Sequence, residues 1–411
     1  TPLTNYDVNS TDTKANAKNN PDYIRGSIGI YSETATNLTS HDINIFDKTE
    51  GNVGVLPGAN VLLNIGGGNI TINGGSTAKD NVGIYIDSSK GGAVKSTGDI
   101  NVNDGLGNLA VVASGSTRPS ANTVEVRKIN GNNTKNSTII YADLGATVKA
   151  DELNIVNSTI EADASTVNKK NAGAVYAKNS GTVVTIDRAA VPSGDNIVIT
   201  GTKQTDSNNY TGFGLFADDS AVINARNNKI KVTNGGSGIV SNNSANIIAD
   251  GGALTYIGNG YALYSDGTGQ ISLQNGTLTL GGSSIGYVLD VAAGTNPINL
   301  NGTTIDVQSN NVILMDLRNA GILNTLGLAP QLMSYLAGTT ISGGSNAYTY
   351  KYAVVDGSTL NINSDINKNN MSTTSDDYIF TRRLLLQNSI INVNGGKTVT
   401  ANLNTTDLAG I

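Results

Sequence analysis

The chain has 411 residues, with 49 Gly, 56 Asn, no Cys, no Trp, one His and a net charge of −6. The absence of Cys excludes a disulfide framework, a thiolate metal site and a cysteine nucleophile, and a single His (His41) argues against a histidine-rich metal centre or a Ser-His-Asp centre. Few Lys and Arg in an acidic chain argue against nucleic acid as a partner.

The first residues, TPLTNYDVNS, contain neither a basic segment nor an apolar run of the kind that opens an export signal, so if the protein is secreted its signal is expected outside this chain. No segment is long and apolar enough for a membrane-spanning helix. Residues 1–26 are polar and turn-rich and read as a flank or a partial first repeat.

From residue 27 to 411 a short motif recurs: a small residue, an aliphatic, an aromatic or aliphatic, then a small residue. Gly29-Ile30-Tyr31-Ser32, Ala174-Val175-Tyr176-Ala177, Gly238-Ile239-Val240-Ser241 and Ala262-Leu263-Tyr264-Ser265 are examples. With the third position as anchor, the motif falls at 31, 56, 85, 112, 141, 176, 216, 240, 264, 289, 314, 355 and 380. The basic period is 24–25 residues, lengthened by insertions near 142–172, 178–212 and 317–350.

Each period reads as three short strands separated by Asn-Gly, Asp-Gly or Gly-Gly turns, which supply positive φ at low cost. ALYS-DGTG-QISL-QNG-TLTL-GGSS, beginning at Ala262, is one such unit. Three strands per period, no intervening helix and thirteen copies predict an all-β, right-handed parallel β-helix.

The residue before every anchor is Ile, Val or Leu, so this column is predicted to face the lumen and the anchor to face outward. Tyr31, Tyr85, Tyr141, Tyr176, Phe216, Tyr264 and Phe380 would then form a broken aromatic stripe on the outer face of one sheet, the candidate binding surface. A second column, Asn227, Asp250, Asn275 and Asn301, falls at the turn between the second and third strands and is predicted to stack its side chains along the axis. In the third insertion, AGILNTLGLAPQLMSYLAG has helical spacing.

Candidate chemistry is sparse. Thr211-Gly212-Phe213-Gly214-Leu215-Phe216-Ala217 has the glycines of a dinucleotide fingerprint, but a turn and a strand follow where that site needs a helix. Asp218-Asp219 and Asp376-Asp377 are paired carboxylates, and many β-helix proteins cleave polysaccharides with such pairs. Both pairs lie in polar turn-like sequence and read as solvated turn residues. His41, Arg118 and Arg382-Arg383 have no evident catalytic partners, and strand alternation is expected to send one of the two arginines outward as a surface charge. Calcium-binding nonapeptide repeats are absent, and neither a metal nor a cofactor is predicted.

Rungs such as GIVSNNSANIIADGGALTYIGNG resemble the passenger regions of type V autotransporter adhesins, and the Asn, Lys, Ile and Tyr bias is similar to that of the large fusobacterial outer-membrane adhesins. The resemblance covers about 27–411 and concerns architecture and composition, with no shared binding motif to carry over. It implies a non-enzymatic rod at the bacterial cell surface, held in the outer membrane by a C-terminal β-barrel outside this chain. The partner would be a host or bacterial surface protein or glycan. The alternatives are a pure structural stalk, or a carbohydrate-active β-helix enzyme such as a lyase, hydrolase or tailspike.

Overall fold

The computed structural model describes residues 5–8, 28–39, 42–45, 51–73, 79–87, 91–115, 122–160, 172–201, 212–342 and 348–400. These form a parallel β-helix. One face is a sheet of thirteen parallel strands, from Ile28–Ser32 to Leu384–Gln387. The second and third faces belong to one nineteen-stranded sheet. They are joined by the long strands Ala93–Asn103, Thr123–Asn132 and Thr147–Ile160, which cross from one face to the other. Thirteen strands at a spacing of about 4.8 Å make a rod of roughly 60 Å.

The lumen is filled by aliphatic columns, each residue packing on its equivalent one rung away. On the second face Val94, Val124, Val148, Val184, Ile223, Ile247 and Ile271 pair in succession, all 1% exposed or less. On the third face Ile43, Ile70, Ile100, Ile129 and Leu153 do the same. Burial of each such side chain contributes about 1.5–3 kcal/mol, and a continuous core across rungs lets no single rung stand alone.

The first face departs from simple alternation. Its strands read out, in, in, out: in Val82–Ile86 both Gly83 and Ile84 are buried, while Val82 and Tyr85 are half-buried. Ala110 with Val111, and Ala262 with Leu263, repeat the pattern within the core. In many rungs the first inward position is Gly or Ala, and at Gly83 the reason is that the space is already taken. A Cβ on Gly83 would lie 2.6 Å from the Ala110 carbonyl oxygen and 3.1 Å from Ile100 Cγ2.

The strand register matches the predicted anchors from Tyr31 to Tyr264. It then diverges. The equivalents of Tyr264 are Val288, Asp316, Val354 and Leu385, instead of the predicted 289, 314, 355 and 380. The lumen column therefore ends Tyr287, Met315, Ala353, Leu384, all buried. Tyr287 fits inside because its hydroxyl donates to the Tyr335 carbonyl at 2.8 Å.

The predicted turn column is also corrected. Asn227, Gly251, Asn275, Gly302 and Gly338 occupy equivalent positions, each with φ between 54° and 79°. Asp250 and Asn301 sit one residue earlier. Asn and Gly alternate there because both tolerate left-handed backbone, not because amides stack. Genuine amide ladders lie on the strands instead. Asn154 donates to Asn130 at 3.2 Å and Asn130 to Asn101 at 2.8 Å; Asn132 donates to Asn103 at 2.9 Å and Asn103 to Asn73 at 3.0 Å. A third ladder, Asn52, Asn81 and Asn108, is wholly buried beside the first face.

The helical spacing in the third insertion is realised as α1, Leu328–Tyr335, whose Leu328, Ala329 and Leu332 join the core. Its N-terminal residue, Gly327, has no side chain to cap the free N–H groups. Asp376 supplies the cap from a later segment, accepting from Gly327 N at 2.8 Å and Ala329 N at 2.7 Å.

Candidate functional site

The outer side of the thirteen-stranded sheet holds the structure's main aromatic alignment. Tyr141, Tyr176 and Phe216 stack rung on rung, with ring centroids 5.5 and 5.0 Å apart. Phe213 joins them edge-on, 5.5 Å from Phe216. With Val240 these rings make a hydrophobic cluster separate from the lumen core, so the anchors do face outward. Phe213 shares this face because of the out-in-in-out pattern, which places residues three apart side by side.

Exposure along the stripe is uneven. Tyr31 is 45% exposed, Tyr85, Tyr141 and Tyr264 are half-buried, and Tyr176 and Phe216 are 8% and 5% exposed. The middle of the stripe is thus closed packing, and Tyr31 is its exposed member. Phe380 does not belong to it. Residues Ile379–Arg383 form a helical turn following Asp376–Tyr378, and Phe380 packs against the main core.

Where the aromatic anchors stop, an ionic network begins. Asp316 occupies the outward column between Val288 and Val354 and is 8% exposed. Its Oδ2 accepts from the Tyr261 hydroxyl at 2.7 Å and from Arg318 Nε at 3.2 Å. A second Arg318 nitrogen donates to the Tyr261 oxygen at 3.0 Å. The guanidinium also lies 5.8 Å from the Tyr261 ring and 5.9 Å from the Tyr264 ring, within cation–π range. Burial, and then the hydrogen bond to Asp316, pushes the Tyr261 hydroxyl up to about 12.

The paired carboxylates have structural partners. Asp218 Oδ1 accepts from Asn243 Nδ2 at 2.7 Å, and Asp219 pairs with Lys178 at 3.5 Å. Asp376 caps α1, and Asp377 accepts from Asn370 Nδ2 at 3.0 Å. The glycines of the fingerprint-like run fit the repeat: strand Phe213–Asp218 is followed by strand Val222–Asn224. His41 and Arg118 lie outside the described residues. Among the described residues no three His, Asp or Glu side chains gather as a metal site requires, and no helix is long and apolar enough to cross a membrane.

Of the two arginines Arg383 is the one turned inward, and it is 4% exposed. Its guanidinium sits 4.4 Å from the Tyr350 ring centre, 5.6 Å from Tyr352 and 5.4 Å from Tyr378. It donates to the carbonyls of Tyr348 and Tyr350 and to the Tyr378 hydroxyl. The helical turn breaks strand alternation and directs this side chain inward.

Sequence reasoning missed the Tyr261–Asp316–Arg318 network because the anchor register slips after Tyr264. Placed in the right register, a carboxylate in an otherwise aromatic and aliphatic column is the signal that finds it. Comparison with known protein families, with characterised proteins and with solved structures gives no match.

The tyrosines give the fold a pH limit. Burial raises Tyr176 to about 12, as it does Tyr261, and it also raises Tyr141, Tyr256, Tyr287 and Tyr350 above the ordinary 10.0. The folded chain holds these protons more tightly than the unfolded chain. Their contribution to stability is therefore complete below about pH 10 and is lost as pH climbs through 12. Tyrosinate absorbance should rise in two phases, exposed tyrosines first and the rest together with loss of β-sheet circular dichroism. A single phase near pH 10 that leaves the fold intact would contradict this.

Proposed function

We propose that the chain is a non-enzymatic adhesin rod, displayed at a bacterial surface and attaching the cell to host cells or to other bacteria. The observation that carries this reading is the outer face of the thirteen-stranded sheet, where aromatic and ionic side chains stand in register on a rigid frame. Rigid aromatics lose little entropy on contact and suit protein and sugar surfaces alike. The engagement of Asp218, Asp219, Asp376 and Asp377 in turns and caps also favours binding over cleavage. Attachment through an outer-membrane β-barrel outside this chain belongs to the same proposal, as the resemblance to autotransporter passengers implies. The closed packing around Tyr176 and Phe216 favours a stalk role for the central rungs, with binding towards the ends.

The test is attachment of chain-coated beads to epithelial cells and to a panel of bacteria. Tyr31→Ser and Tyr85→Ser, which alter outward residues and leave the lumen untouched, are compared with the unaltered chain. Attachment by the whole chain, reduced by at least one of these changes, is expected. Failure of the whole chain to attach to any cell, or cleavage of a polysaccharide by it, would sink the reading.

A further inference from the structure

Beyond the last aromatic anchor, the outer face opens into a cleft of about 450 Å³, within the range of small-ligand sites. It exists because the column that carries rings up to Tyr264 continues with shorter side chains, Val288, Asp316 and Val354. The cleft runs along the rod axis across five consecutive strands, from Tyr261–Ser265 to Leu384–Gln387. One wall is Tyr261, Ile285 and Ile313, stacked in register. The other holds Arg318, Asn319, Asp356 and Gln387, all exposed. Asp316 lies in the floor.

Its construction is costly for a plain rod. A carboxylate that is 8% exposed replaces an aromatic or aliphatic residue in the stack, and it is tolerated only through Tyr261 and Arg318. The composition of the walls selects the ligand. Asp316, Arg318 and Asp356 sum to one negative charge, which repels anions. Asp316 is already bonded by a phenol and a guanidinium, which leaves Asp356, with one oxygen held by Asn388 at 2.9 Å, as the carboxylate with an oxygen left to accept. The polar wall combines a donor (Arg318) and an acceptor (Asp356) with amides that do both (Asn319, Gln387), the Asn319 Nδ2 also donating to Asp290 Oδ2 at 3.0 Å. Such a row suits hydroxyls, which donate and accept at once. The facing tyrosine and isoleucines suit the apolar side of a sugar ring.

We infer that this cleft is a binding site for an uncharged oligosaccharide, lying lengthwise between the Tyr261–Ile313 wall and the Arg318–Gln387 wall. The inference deepens the adhesin reading and rests on it for its biological setting, though not for its chemistry.

The test applies the full chain to an array of neutral oligosaccharides and their sialylated counterparts, with cell attachment measured in parallel. Two variants alter exposed wall residues that lie outside the core: Asp356→Ala removes an acceptor, and Gln387→Trp fills the cleft. Binding to neutral members is expected, weakened about tenfold or more by each variant, with unchanged circular dichroism. Binding to sialylated members alone, binding indifferent to both variants, or no glycan binding each overturns the cleft. If the chain attaches to cells and both variants attach equally well without neutral-sugar binding, the adhesin reading stands and the cleft falls. If neutral sugars bind in a variant-sensitive way while no cell is bound, the cleft stands and the adhesin reading falls.

Discussion

Arg383→Ala is expected to destabilise the C-terminal rungs by about 3–5 kcal/mol. The substitution empties a space lined by Tyr350, Tyr352 and Tyr378 and strands the carbonyls of Tyr348 and Tyr350, the latter bonded at 2.6 Å. Each stranded polar group costs about 1–3 kcal/mol, and the void adds to that. Arg383→Lys should rescue little, since an ammonium can neither lie flat on a ring nor reach three acceptors in one plane. Because rungs touch only their neighbours, the damage should be local. Hydrogen exchange should show lost protection in Lys351–Asp356 and Leu384–Gln387, with Val82–Ile86 unaffected. Uniform loss along the rod, or none, would refute this account.

Asn81→Leu is expected to cost about 3 kcal/mol near the other end of the rod. Asn81 is fully buried, and its Oδ1 accepts the backbone N–H of Asn52 at 2.9 Å. Its own N–H goes to Asn108 Oδ1 at 3.0 Å, and its Nδ2 reaches the same oxygen at 3.2 Å. Leucine matches the volume but leaves the Asn52 N–H facing apolar side chains with no acceptor. Asn64→Leu, which removes an exposed ladder bond of 2.7 Å to Asn37, is the control and should cost well under half as much. Equal midpoints for the two variants in urea would show that the buried ladder has no special weight.

How far the sequence could be read depended on which physical signal repeated. Nine anchors, from Tyr31 to Tyr264, were legible because an aliphatic lumen residue precedes an outward ring or aliphatic in each, even where insertions lengthen the step between them. Beyond Tyr264 the same cue misleads. Tyr287 is a ring that points inward, Asp316 holds the outward place for which Leu314 was the predicted anchor, and Tyr378-Ile379-Phe380 belongs to helical turns. The helix in the third insertion was legible from its spacing, but its cap was not, since Asp376 lies 47 residues after Ala329. The buried Asn52–Asn81–Asn108 ladder hid within a general excess of Asn. The turn column was visible, yet its cause was backbone conformation and not amide stacking. The cleft was out of reach for a related reason: its walls come from five rungs, and an error of one residue in the register scatters them.

The parallel pairing of neighbouring rungs has a mechanical consequence. Every inter-strand hydrogen bond of the rod points along its axis, so tension applied between its two ends loads those bonds in series. Every rung then carries the same load, so the weakest yields first and the others follow in order of strength. Each regular rung released would lengthen the chain by one period of 24–25 residues, or about 80 Å of extended backbone. A rod that gives way in such steps absorbs a pull gradually, in increments set by the length of its own repeat.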